Sequence, residues 1–79
     1  MRRALDKIEM LIRYYEGLAA KARMNVEVFL ENSVGIGEHS DIAEAIDTEV
    51  GKYASAMERI EALDTIYKDF RDFRDESED

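Results

Sequence analysis

A chain of 79 residues has room for one domain, and with 46% hydrophobic and 38% charged residues it is too apolar for disorder, yet it has no apolar run near the ~20 residues of a membrane span. It has no cysteine and no proline, so disulfides and thiolate metal sites are excluded and the strongest helix breaker is missing. The formal net charge of −8 is uneven: residues 1–37 carry six Lys/Arg against five Asp/Glu, residues 38–79 five against fourteen, and a nucleic-acid-binding footprint, which must be basic, is not expected.

The chain starts with the basic segment Met1-Arg2-Arg3-Ala4-Leu5-Asp6-Lys7, but acidic residues follow at once and no uninterrupted apolar stretch does. That pattern argues against a secretory leader, and a cytoplasmic, membrane-free setting is the expectation. From Leu5 the apolar positions Leu5, Ile8, Ile12, Tyr15, Ala19, Ala22, Val26 and Phe29 alternate in steps of three and four, which predicts one unbroken helix over about 3–31. The run stops at Asn32-Ser33-Val34-Gly35-Ile36-Gly37-Glu38-His39, where two glycines supply the backbone freedom of a chain reversal, so residues 32–39 read as a loop.

A second helix is predicted from about Ser40 to 74. Ser40 can cap it, and Asp41 with Glu44 has the spacing of a capping box. Its apolar stripe reads Ile42, Ile46, Val50, Tyr53, Met57, Ile60, Leu63, Tyr67 and Phe70. Glu49 stands where a strict seven-residue repeat would bury it; drift of the stripe onto Val50 is preferred to a buried Glu49 that reaches a cation on a neighbouring helix. Lys68, Arg71 and Arg74 favour the helix C-terminus, whereas the acidic tail 75–79 opposes the helix dipole and is expected to fray.

Two helices joined by a short loop imply an all-α antiparallel hairpin spanning 1–79 as a single domain. One hairpin buries each stripe on one side only, which seldom offsets the conformational entropy of so short a chain. The first helix also carries a second apolar stripe, Met10, Tyr14, Met24 and Val28, interrupted by Gly17 and Lys21. The far side of the second helix, with Asp47, Glu58, Glu61, Asp69 and Asp72, reads as solvated. The expectation is therefore a homo-oligomer, a dimer forming a four-helix bundle, with Met10, Tyr14, Met24 and Val28 at the interface. A docking surface for a different protein is the alternative use of the same stripe, since methionine and tyrosine suit protein contacts.

Candidates for chemistry are few. His39, beside Glu38 and two residues from Asp41, offers imidazole and carboxylate ligands, but it is the single histidine and a four-ligand site would need carboxylates from elsewhere; a cap or an exposed turn is the plainer reading. Glu58, Glu61 and Asp64 are spaced for a magnesium-binding acidic helix, yet the first helix offers only the scattered Glu9, Glu16, Glu27 and Glu31, which favours a solvated charge run. Gly35-Ile36-Gly37 follows a helix and lacks an adjacent Lys-Ser/Thr, so it reads as a helix-ending turn and not a phosphate loop. No catalytic residue, cofactor or metal site is expected. Gly17 and Gly51 fall inside predicted helices, where close helix approach is one reason to keep a glycine.

The segment Asn32-Ser33-Val34-Gly35-Ile36-Gly37-Glu38-His39-Ser40-Asp41, with the acidic helix after it, resembles small helical-hairpin proteins of tailed bacteriophages and marine metagenomes. Prolines tend to occupy the positions of Ser33 and Ser40 in that group, and the resemblance covers roughly half the chain. It implies a helical hairpin and a phage setting, and it carries over no catalytic residue. The function expected is non-enzymatic, a homo-oligomeric accessory protein that binds another macromolecule, a protein above all. The alternative is an acidic nucleic-acid mimic that occupies a DNA-binding protein, resting on the fourteen carboxylates between Glu38 and Asp79.

Overall fold

The two apolar stripes find each other. The computed structural model describes residues 2–31 and 39–78, with side chains over 4–31 and 41–73. Its elements are two helices, α1 (Arg2–Glu31) and α2 (His39–Glu78), which pack against one another. Glu9 meets Tyr67, Tyr15 meets Arg59 and Asn25 meets Glu49, so each advance along α1 is matched by a near-equal retreat along α2. The chain is an antiparallel hairpin 64 Å long and 15 × 13 Å in section. That length is close to the roughly 60 Å that the 40 residues of α2 span at 1.5 Å per residue.

Leu5, Ile8, Ile12, Tyr15, Ala19, Ala22, Val26 and Phe29 all turn inward, as their spacing requires. On α2 the inward line differs from the expected one. Ile42, Ile46, Tyr53, Ile60, Leu63, Tyr67 and Phe70 hold their places, but Glu49 and Ala56 replace Val50 and Met57, which are 46% and 42% exposed. The inward line of α2 therefore steps strictly by four and three, as that of α1 does by three and four. Two helices that keep a seven-residue repeat in contact must coil slightly about each other, and this cancels the drift by which a straight helix would have brought Val50 inward.

The core is thin. Ala19, Ala22 and Ala56 are its most buried apolar residues, and the register sets Ala56 level with Ala19. Small side chains at the middle let the two backbones approach, at the expense of buried apolar area. Gly17 and Gly51 have a different explanation, because a methyl group built on either would meet nothing within 4 Å. Close approach inside the hairpin does not account for either glycine.

The boundaries shift slightly. His39, read from the sequence as the last loop residue, is the first residue of α2, and Asp41 lies in the first turn, where a carboxylate complements the helix dipole. The turn residues Gly35, Ile36, Gly37 and Glu38, with the whole segment that carries the bacteriophage resemblance up to that point, lie outside the described residues. The second helix extends past its expected end at 74: α2 continues through Glu78, with neither glycine nor proline after Gly51 to stop it. Asp79 lies outside the described residues.

Gly51→Ala should raise stability by about 0.5–1 kcal/mol, since the position is helical, exposed and unobstructed. Ala56→Leu should lower it by about 1–3 kcal/mol through overpacking of the narrow middle layer. Thermal melts followed by circular dichroism report both, at roughly 4–8 °C per kcal/mol for a domain of this size.

Candidate functional site

One polar layer interrupts the apolar core. Glu49, 9% exposed, accepts a 2.8 Å hydrogen bond from the Asn25 side-chain amide across the hairpin and a 2.9 Å bond from Lys52 Nζ one turn along its own helix. The sequence reading allowed for a buried Glu49 held by a cation of a neighbouring helix; the cross-helix hydrogen-bond partner is the amide of Asn25, the bonded cation is Lys52 of α2 itself, and Lys21 of α1 acts on the carboxyl through its charge alone. The Asn25 hydrogen bond, then that of Lys52, holds the Glu49 carboxyl below the usual carboxylate range against the opposing effect of burial. Near the other end, the Tyr67 hydroxyl donates to Glu9 Oε1 at 3.0 Å, and this bond to a carboxylate pushes the phenol pKa above its ordinary value.

Beside the polar layer an open groove of about 770 Å³ runs between the helices. Its floor is Ala22, Ala56 and the Asn25–Glu49 pair, and its walls include Tyr14 and Leu18 on α1 and Lys52 and Arg59 on α2. Arg59 is pinned there: its guanidinium donates to the Ser55 carbonyl at 3.2 Å and to the Ser55 hydroxyl, and it lies 5.8 Å from the centre of the Tyr15 ring. Tyr14 meets Tyr15 edge-on, with 5.1 Å between ring centres. Lys21, Lys52 and Arg59 line this groove with a single carboxylate, Glu49, so it is a locally basic strip on an acidic protein.

The groove opens onto an apolar flank of α1 built from three parallel rows, each repeating every seven residues. Leu11, Leu18 and Asn25 lie nearest α2, Tyr14, Lys21 and Val28 come next, and Met10, Gly17 and Met24 lie farthest out. Exposure rises outward across the rows, from 40% at Leu18 and 47% at Leu11 to 58% at Tyr14 and 67% at Met10. Met10, Tyr14, Met24 and Val28, singled out from the sequence, are all on this exposed flank. Leu11 and Leu18 extend it, and they were missed because they belong neither to the core line nor to the outermost line. On α2 the row of Lys52 and Arg59 continues in steps of seven to Ile66 and Phe73, both exposed. That repeat is visible in the sequence and is the signal that could have found them. Val50, displaced from the core, lines a smaller hollow of about 230 Å³ on the opposite flank with Arg23, Val26 and Tyr53.

The remaining candidates do not converge. Glu58, Glu61 and Asp64 are all exposed, and Asp64 is paired with Lys68 at 3.0 Å. Among the described residues no three His, Asp or Glu side chains are grouped to hold a metal ion, and the side chains of His39 and Ser40 lie outside those residues. Among the same residues no helix is long and apolar enough to cross a membrane. No family model, curated protein or solved structure matches the chain.

Removing the amide that holds Glu49 gives a pH-dependent test. A depressed carboxyl pKa contributes stability above the ordinary carboxylate range, and that stability is lost as pH falls through the folded value. Asn25→Ala should therefore melt below the wild type near neutral pH, and the gap should narrow as pH falls below the ordinary carboxylate range and through the lowered folded value. A gap that stays constant across that interval would show that Asn25 acts by packing alone.

Proposed function

We propose that this chain is a small non-enzymatic interaction protein that works as a homodimer, with the apolar flank of α1 as its contact surface. The observation that carries this reading is the exposure of Met10, Leu11, Tyr14, Leu18 and Met24 on one flank of α1, on a hairpin whose core has a middle made of alanines. The hairpin exposes 6260 Å², against about 4,900 Å² for a compact monomer of equal mass. The difference is more than the ~800 Å² that each partner of a standard interface buries. A radius of gyration of 18.1 Å, where a compact domain of this length would have roughly 12 Å, describes the same excess as shape. In this reading α1 sits centrally between its own α2 and a second subunit, in a four-helix assembly.

The acidic outer face of α2 supports a second reading, a nucleic-acid mimic, since Asp47, Glu58, Glu61, Asp69 and Asp72 are all exposed. It has less support, because Ala54, Ala62 and Thr65 share that face and the basic strip of Lys21, Lys52 and Arg59 lies on the groove side.

Sedimentation at micromolar concentration tests the homodimer. The wild type should run at twice the chain mass, and a Tyr14→Glu, Met24→Glu double variant should run at the chain mass while keeping its helical circular dichroism. A wild type that sediments as a monomer would remove the reading.

A further inference from the structure

The outer rows of α1 contain a second seven-residue repeat, set off by two residues from the one that faces α2. Steps of three and four lead from Lys7 through Met10, Tyr14, Gly17, Lys21 and Met24 to Val28 and Glu31, and each of these side chains is exposed. Lines of this rhythm are what two helices use to pack along their length, so the orientation of a second copy can be read from what the line would place opposite itself.

Resting on the homodimer reading above, we propose that two copies join through α1 in antiparallel order, with a twofold axis level with Ala19. Under that symmetry Tyr14 lies on Met24 of the second copy, and Met10 lies on its Val28. Ring against thioether and thioether against valine are compatible contacts. Gly17 then faces Lys21 of the second copy, and the space beyond Gly17, empty within the hairpin, receives the apolar stem of that lysine. This gives the glycine a role that packing inside one chain does not.

Charge agrees with the same register. Lys7 comes opposite Glu31 of the second copy at both ends of the contact, and on the outer flank Arg13 comes opposite Glu27, which within its own chain already pairs with Arg23 at 3.2 Å. Close to the axis Leu18 and Ala20 each approach their own symmetry mates, while the two Lys21 lie about 6 Å apart along it and direct their ammonium groups outward to solvent. A parallel arrangement would instead set Lys7, Lys21 and Glu31 each opposite its own copy along the contact, like charge against like.

The absence of cysteine makes the register directly testable by cross-linking of full-length chains. Under mild oxidation, a mixture of Met10→Cys and Val28→Cys chains should form an interchain disulfide, and a mixture of Tyr14→Cys and Met24→Cys chains should do the same. Met10→Cys alone should not, because its two copies would lie about 27 Å apart along the axis, far beyond disulfide reach. Circular dichroism shows whether each variant remains helical, and all four positions are exposed in the hairpin. Efficient linking of Met10→Cys to itself would establish a parallel dimer and overturn the proposal. A wild type that sediments as a dimer with no linking in either mixture would also overturn it, leaving the homodimer on another surface, whereas a monomeric wild type would end both.

Discussion

The hydrogen bond from Asn25 to Glu49 is the contact on which the hairpin's register turns. Two apolar lines of equal rhythm can slide past each other by a full repeat and still bury greasy side chains, so a seam of leucine, isoleucine and alanine alone defines alignment weakly. A nearly buried carboxylate restricts that freedom. Moved seven residues in one direction, Glu49 would lie level with Leu18 and Ala19 and lose its amide donor, leaving a charge among apolar groups that cannot satisfy it. A polar residue at one inward position of a helix pair is a recognised way of fixing alignment at some expense of stability. Among the described residues no buried polar side-chain atom lacks a partner, so the interruption is complete in itself.

From that register the rest of the surface follows. It sets Arg59 over Tyr15 and Tyr67 beside Glu9, and it brings Lys52 and Arg59 to the same flank as Tyr14 and Leu18. The two flanks of the hairpin are consequently unlike. One carries the long apolar rows of α1 together with Ile66 and Phe73, and the other carries Glu9, Glu16, Arg23 and Asp64 with a small hollow at Val50. Surface ion pairs such as Arg23–Glu27 and Lys68–Asp64 contribute little individually, ~0–1 kcal/mol, so the difference between flanks is one of exposed apolar area and not of pairing.

How far the sequence revealed this depended on how many helices each question involved. The inward line of α1 was legible residue by residue, because every position in it is apolar or alanine and the steps are regular. On α2 residue type misled: Val50 and Met57 are more hydrophobic than Glu49 and Ala56, and choosing by hydrophobicity breaks the four-three rhythm that α1 imposes across the contact. Asn25 had no mark of its own in the sequence, since an asparagine between Met24 and Val26 becomes meaningful only when Glu49 is known to lie opposite. The groove shares this limit. Tyr14, Leu18 and Arg59 are ordinary helix residues until antiparallel packing sets them side by side. The end of α2 lies later than the charge pattern suggested, because neither glycine nor proline follows Gly51 to stop a helix.

The two faces of α1 bear on why so short a chain can be stable as a long rod. At 3.6 residues per turn, a displacement of two residues is a rotation of roughly 200°, so a line beginning at Lys7 faces almost directly away from one beginning at Leu5. Helix α1 thus presents two lines of the same rhythm on opposite sides, one filled with Ile, Ala and Phe and the other with Met, Tyr and charged ends. The first is closed by α2. Its middle, at Ala19, Ala22 and Ala56, buries the least side-chain volume in the hairpin, and the outer line is bulkiest at Tyr14 and Met24, just outside that level. Apolar volume missing from the inner seam is therefore present on the outer one. In the proposed homodimer, cover over the outer side would add to the stabilisation that α2 gives the inner one.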